Sequence, residues 1–153
     1  YEIRQKILKD SNVGAFGVLA LISSFLLRYT LISQLDNHFA MFIALLASSA
    51  LGRYSILIVF NLSDISKQSG LTKELRKLNL KTLTLCGLFS LIWVIPAGVA
   101  ATIVIITLGL ALVYLLTRVI VPFNKGLSGD LLGLSVQLFE LLTLSIICIA
   151  FLR

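Results

Sequence analysis

The stretch LIWVIPAGVAATIVIITLGLALVYLLTR, Leu91 to Arg118, carries no charge until its last residue. It is interrupted only at Pro96-Ala97-Gly98, a Pro and Gly pair that reads as a tight turn. A single bent helix cannot cross a bilayer twice, so the turn separates two crossings, Leu80 to Ile95 and Ala97 to Arg118. Working outward, each crossing needs on the order of 20 apolar residues. Three further runs qualify: Gly14 to Leu35, Phe39 to Leu62 and Leu131 to Leu152. The expected fold is all-α, a polytopic membrane helix bundle of about five transmembrane helices in one domain covering residues 1–153.

Composition agrees. Of 153 residues, 58% are hydrophobic and 13% charged, outside the range of soluble domains. The polar stretches are the first dozen residues, Ser63 to Leu80, and a short run from Asn124 to Asp130, too little for a separate soluble domain. Tyr1 to Asp10 mixes both charges and lacks the apolar core of a cleaved signal, and the chain begins with Tyr, which points to a fragment or processed product.

Lys and Arg set the expected orientation. Arg4, Lys6 and Lys9 precede the first span, Lys67, Lys73, Arg76, Lys77 and Lys81 fill the loop after the second, and Arg118 and Lys125 follow the fourth. The loops at Asp36 to His38 and Pro96 to Gly98 hold none. The positive-inside rule therefore predicts a cytoplasmic N-terminus, with Arg153 on the far side. Orientation accounts for the net charge of +6 without a nucleic-acid partner. In the long loop, Leu71, Leu75 and Leu78 share a helical face opposite Lys73, Arg76 and Lys77, which predicts a short helix on the lipid surface. Cys86 and Cys148 fall near opposite faces, so neither a disulfide nor a metal pair is expected, and His38 reads as a loop residue.

Three ionisable residues interrupt the spans, and each must snorkel, pair or line a polar cavity. Arg28 lies about 10 Å from the outer end of its span and is expected to snorkel outward. Arg53 and Glu140 lie about 13 and 14 Å from the cytoplasmic ends of theirs, which predicts that they pair or share a cleft. At that face the stretch KDSNVGAFG sets Lys9, Asp10 and Ser11 against Gly14 and Gly17. The stretch KGLSGDLLG likewise sets Gly126, Gly129 and Gly133 around Asp130. Capping and close helix packing would explain either motif alone. Two at one face, with Arg53 and Glu140 beneath, favour a phosphate site: Asp10 and Asp130 as Mg²⁺ ligands, Lys9 and Arg53 on phosphate oxygens. Phosphoryl transfer, which depends on positioning and electrostatics, would suit that set.

These two motifs, Arg53 followed by an aromatic, the Ser69-Gly70-Leu71 step and Glu140 after Gly133 together resemble the cobalamin synthase family, the adenosylcobinamide-GDP ribazoletransferases. The resemblance runs in order over nearly the whole chain. It implies a Mg²⁺-dependent transferase of the bacterial inner membrane, active at the cytoplasmic face. That enzyme joins α-ribazole, or its 5′-phosphate, to adenosylcobinamide-GDP and releases GMP. By position, Lys9, Asp10, Ser11, Gly14 and Gly17 match the family's first motif, and Gly126, Gly129, Asp130 and Gly133 its second. Lys125 and Ser128 depart from the usual Gly and Thr of the second motif. The family's aspartate-rich D-G-x-x-D-x-x-D-G motif, expected before Lys9, is not in this chain, which fits a C-terminal portion. Outside the resemblance, two other classes remain: a small ion-coupled transporter using Arg53 and Glu140, and a structural membrane subunit. Membrane lipid is a partner under each reading, and a homo-oligomer is compatible with all three.

Overall fold

The computed structural model describes residues 14–63, 78–123 and 127–152. Among them the chain is helical throughout, with α1 at Ala15–Ser33, α2 at His38–Leu62, α3 at Leu80–Ile92, α4 at Val99–Leu115 and α5 at Gly129–Phe151. α1, α2, α4 with its continuation, and α5 are each long and apolar enough to cross a membrane. The third run departs from expectation. It is helical only to Ile92 and then breaks into turns and a 3₁₀ segment at Ile95–Ala97, so α3 is shorter than the other four. Pro96 stands in that segment and Gly98 takes φ of +96°, a left-handed conformation open to glycine, so the Pro-Ala-Gly turn forms as expected.

α4 continues past its predicted end through a π-helical turn at Leu116–Ile120 and a last α-turn at Val121–Phe123. Pro122 has no N–H to give to the preceding turn. The helix widens just before it, and the Val121 N–H donates to the Leu116 carbonyl, five residues back. His38 is the first residue of α2 rather than a loop residue, with Asn37 capping that helix by accepting from the Phe39 N–H at 2.9 Å. The surface helix expected through Leu71 and Leu75 lies outside the described residues, and Leu78 is not helical.

α2 and α5 form the axis of the bundle, α3 packs on α2, and α4 and α1 pack on α5. Their pairings fix direction. Ala40, Ala44 and Ala47 of α2 share one core cluster with Leu144, Ile147 and Cys148 of α5, whereas Val59 and Phe60 share another with Leu127 and Leu131. α2 and α5 are therefore antiparallel. Ala40, Ala44, Ala47, Ser48, Gly52 and Ser55 make a stripe of small buried residues on α2. Such a stripe lets helix backbones approach closely, which is how packing energy is gained between apolar spans. Large side chains such as Phe16, Phe25, Leu85, Phe89 and Leu110 point outward, uncovered. An apolar exterior around a packed interior is the arrangement that lipid solvates.

Candidate functional site

Two features are built from the charged and glycine-rich sequence: the entrances of α1 and α5, and a polar layer midway along the bundle. At the entrance of α5, Ser128 is the N-cap. Its hydroxyl accepts from the Leu131 N–H at 3.4 Å, and Asp130 lies exposed in the first turn. A carboxylate there is favoured by the free N–H groups and the positive end of the helix dipole. Gly14 is the N-cap of α1. A Cβ added at Gly14, Gly129 or Gly133 would meet nothing within 4 Å, so these three glycines do not serve close packing in this structure. Close packing falls to other glycines. A Cβ at Gly52 would come 2.5 Å from Glu140 Cγ, one at Gly109 would touch the Phe139 ring at 3.3 Å, and one at Gly87 would run into the Tyr54 hydroxyl.

The polar layer corrects the sequence prediction. Glu140 does not pair with Arg53; Glu140 Oε2 lies 2.7 Å from Arg28 Nη1. Arg28 Nη2 also donates to Gln137 Oε1 at 2.8 Å, so one guanidinium grips two α5 residues one turn apart. Arg28 therefore points across to α5 instead of snorkelling outward, with the Glu140 side chain 14% exposed and that of Arg28 30% exposed. Arg53 stands on an exposed face of α2, its Nη1 donating to the Ser49 carbonyl at 3.1 Å. The predicted depth was right and the predicted direction wrong. Glu140 lies against Gly52, next to Arg53 in sequence, but successive helical residues are turned by about 100°.

Below this layer, the Ser55 hydroxyl donates to the Gly52 carbonyl at 2.6 Å and lies 3.2 Å from the Ser135 hydroxyl, both side chains fully buried. At the base-rich end, Asn61 closes the long loop. Its Oδ1 accepts from the Leu78 N–H at 2.9 Å and its Nδ2 donates to the Leu78 carbonyl at 3.2 Å. Sequence reasoning missed Gln137, Gly52 and Asn61, and singled out Arg28 only as a snorkelling residue. A usable signal existed for Arg28. Measured from the entrances, Arg28 is about 20 Å along α1 and Glu140 about 17 Å along α5, similar depths for parallel helices.

Of the remaining sequence candidates, Lys9, Asp10, Ser11 and Gly126 lie outside the described residues, and Gly17 is half-buried near the start of α1. Among the described residues no three His, Cys, Asp or Glu side chains come together to hold a metal ion. Asp130 alone does not make a Mg²⁺ site, so the described residues do not fit that ion without further ligands.

A helical bundle with an uncovered apolar exterior and a paired charge at mid-depth is an integral membrane protein. The chain belongs to the cobalamin-5-phosphate synthase family, whose profile matches residues 1–148. It is 32% identical over 149 residues to the adenosylcobinamide-GDP ribazoletransferase of Ralstonia pickettii (strain 12J), covering 94% of this chain and 57% of that protein. It is 31% identical over 146 residues to the protein of the same name from Shewanella woodyi (strain ATCC 51908 / MS32), covering 89% of this chain and 55% of the relative. The corresponding Clostridium kluyveri protein (strain NBRC 12016) is 25% identical over 148 residues, with 94% and 58% covered. The chain thus spans somewhat over half the length of the curated relatives it matches. No solved structure matches it.

Proposed function

We propose that this chain is a membrane-embedded portion of an adenosylcobinamide-GDP ribazoletransferase, with the entrances of α1 and α5 as two walls of its phosphate site at the cytoplasmic face of a bacterial inner membrane. The carrying observation is the family match over residues 1–148, which takes in both glycine motifs. The open surroundings of Gly14, Gly129 and Gly133 support it, because backbone without side chains or packed neighbours can be approached by a phosphate. The positive-inside rule supports the cytoplasmic assignment.

In the proposed reaction a hydroxyl oxygen of α-ribazole, or of its 5′-phosphate, attacks the phosphorus that carries cobinamide. The new P–O bond forms as the anhydride P–O bond breaks, GMP leaves with the bonding electron pair, and the hydroxyl proton is lost to a base. Free N–H groups at the start of α5 face the developing negative charge, where the helix dipole favours an anion. Lys9 would neutralise phosphate oxygens and Ser11 would donate a hydrogen bond. Arg53, at the depth of Glu140 and with its guanidinium on the Ser49 carbonyl, has no part in the proposed phosphate site. Glu140 is committed to Arg28 about 15 Å above Asp130, so its contribution is to helix placement. Mg²⁺ would be held by Asp10 and Asp130 together with carboxylates from an upstream aspartate motif. When bound it would neutralise phosphate charge. Arg53 and Glu140 face different partners, which weighs against the path lined by both that the transporter alternative called for.

The test is ribazole transfer in liposomes with Mg²⁺, by this chain and by a version extended upstream through the aspartate motif. Cobalamin formation by only the extended version supports the proposal and assigns the upstream motif an essential part. Absence of product from both versions, each shown to be folded, sinks it.

A further inference from the structure

α1 is attached to α5 along only part of its length. No residue of α1 is fully buried. Near its end, Leu31 and Ile32 pack against the core cluster that contains Leu144, Ile147 and Cys148, and the Cys148 thiol donates to the Leu31 carbonyl at 3.4 Å. The next attachment toward the entrance is Arg28, on Glu140 and Gln137. Toward the entrance most side chains of α1 are exposed. Leu21, Ile22, Ser24, Phe25 and Leu26 line one side of an open groove of about 610 Å³ that reaches Arg28 and Gln137.

The anchor of this contact has a fixed seat. Glu140 lies over Gly52, in the buried stripe of α2, where a single added Cβ would collide with its side chain. Position is therefore handed from Gly52 to Glu140 and then to Arg28. The planar guanidinium, bound at two points, restricts the angle as well as the distance between helices. From Arg28 back to Gly14 is about 21 Å of helix. Over that arm, a tilt of about 10° moves the α1 entrance by about 4 Å, on the same helix rise.

We propose that Arg28, Gln137 and Gly52 are positioning residues that set the spacing between the entrance of α1 and the entrance of α5. This rests on the transferase reading for its catalytic consequence, and on geometry alone for the spacing. A misplacement of even 1 Å at a site that works by orientation lowers turnover by roughly 10²-fold.

The experiment uses the upstream-extended protein in liposomes, with Cys86 replaced by Ser and nitroxide labels on cysteines introduced at the exposed positions Phe16 and Leu134. Pulsed electron resonance reads the distance between labels, and the unlabelled variants are assayed for transfer. Arg28→Ala and Gly52→Ala are expected to shift or broaden the distance by several Å and lower kcat by roughly 10²-fold. Arg28→Lys, which keeps one contact, should recover part of both. Thr107→Ala, on an exposed face of α4, should change neither. An unchanged distance in Arg28→Ala and Gly52→Ala overturns the proposal whatever the activity. So does a shifted distance with kcat within about twofold of the parent, since turnover would then be insensitive to the spacing. If the folded parent gives no transfer at all, the transferase reading fails, and the label distance alone decides whether Arg28 sets the spacing.

Discussion

α1 and α2 are both apolar helices long enough to cross a membrane, yet α2 buries a continuous stripe against its neighbours and α1 buries nothing completely. The difference comes from side-chain size and placement. α2 has Ala, Ser and Gly at the spacing of one helix face, so α5 comes close enough for Gly52 to seat Glu140 and for Ser55 to reach Ser135. α1 carries its glycines at the start, where Gly14 opens onto space, and Leu and Phe along much of the rest. It holds to α5 by a charged contact and its last apolar turns. In one bundle, small residues serve packing on one helix and exposure of backbone on another. Glycine in a membrane sequence is thus not by itself a packing signal.

Predictions follow from that contrast. The largest effect on stability is expected from Arg28→Ala, which removes the ion-pair partner of a mostly buried Glu140 and should cost about 3 kcal/mol. Unfolding by denaturant in detergent would measure it, and a loss below about 0.5 kcal/mol would mean that the pair does not hold α1, given what such pairs cost to break. Gly52→Val should cost about 2 kcal/mol by overpacking against Glu140, in the same assay. Asn61→Leu removes both hydrogen bonds to Leu78 and should cost about 1 to 2 kcal/mol. Its local signature is faster amide exchange at Leu78, with little change in the α2–α5 core. The smallest change carries the opposite sign. Gly133→Ala, at an open interior position of α5, should stabilise by about 0.5 to 1 kcal/mol. If backbone at that entrance receives phosphate, the same variant loses transfer while gaining stability. A variant that gains stability and keeps full activity would restrict the site to residues nearer the α5 N-cap.

Much of the fold was legible. The turn at Pro96 to Gly98, the five helical runs and their approximate ends follow from hydropathy and from two residues with restricted or permissive backbones. The short α3 was less legible, because hydropathy continues through Trp93 to Ile95 while the helix does not. The glycine motifs could be placed at helix entrances, and the family match covers them. The ion pair was misread because depth along a span can be counted from sequence, whereas its facing direction requires a polar stripe that these spans lack. A span apolar on all sides offers little pattern from which to choose a face.

The sequence by itself determined that this chain is a bundle of membrane-crossing helices, where they turn, and that Arg28, Arg53 and Glu140 each needed a polar solution within the span. Tertiary structure alone decided which solution each received. Glu140 turned to Arg28 because close packing over Gly52 set the rotation of α5 against α2, leaving Arg53 on the outer face with its own helix carbonyl. Rotation about a helix axis is chosen by the sum of contacts with every neighbour, and that sum exists only once the helices are assembled.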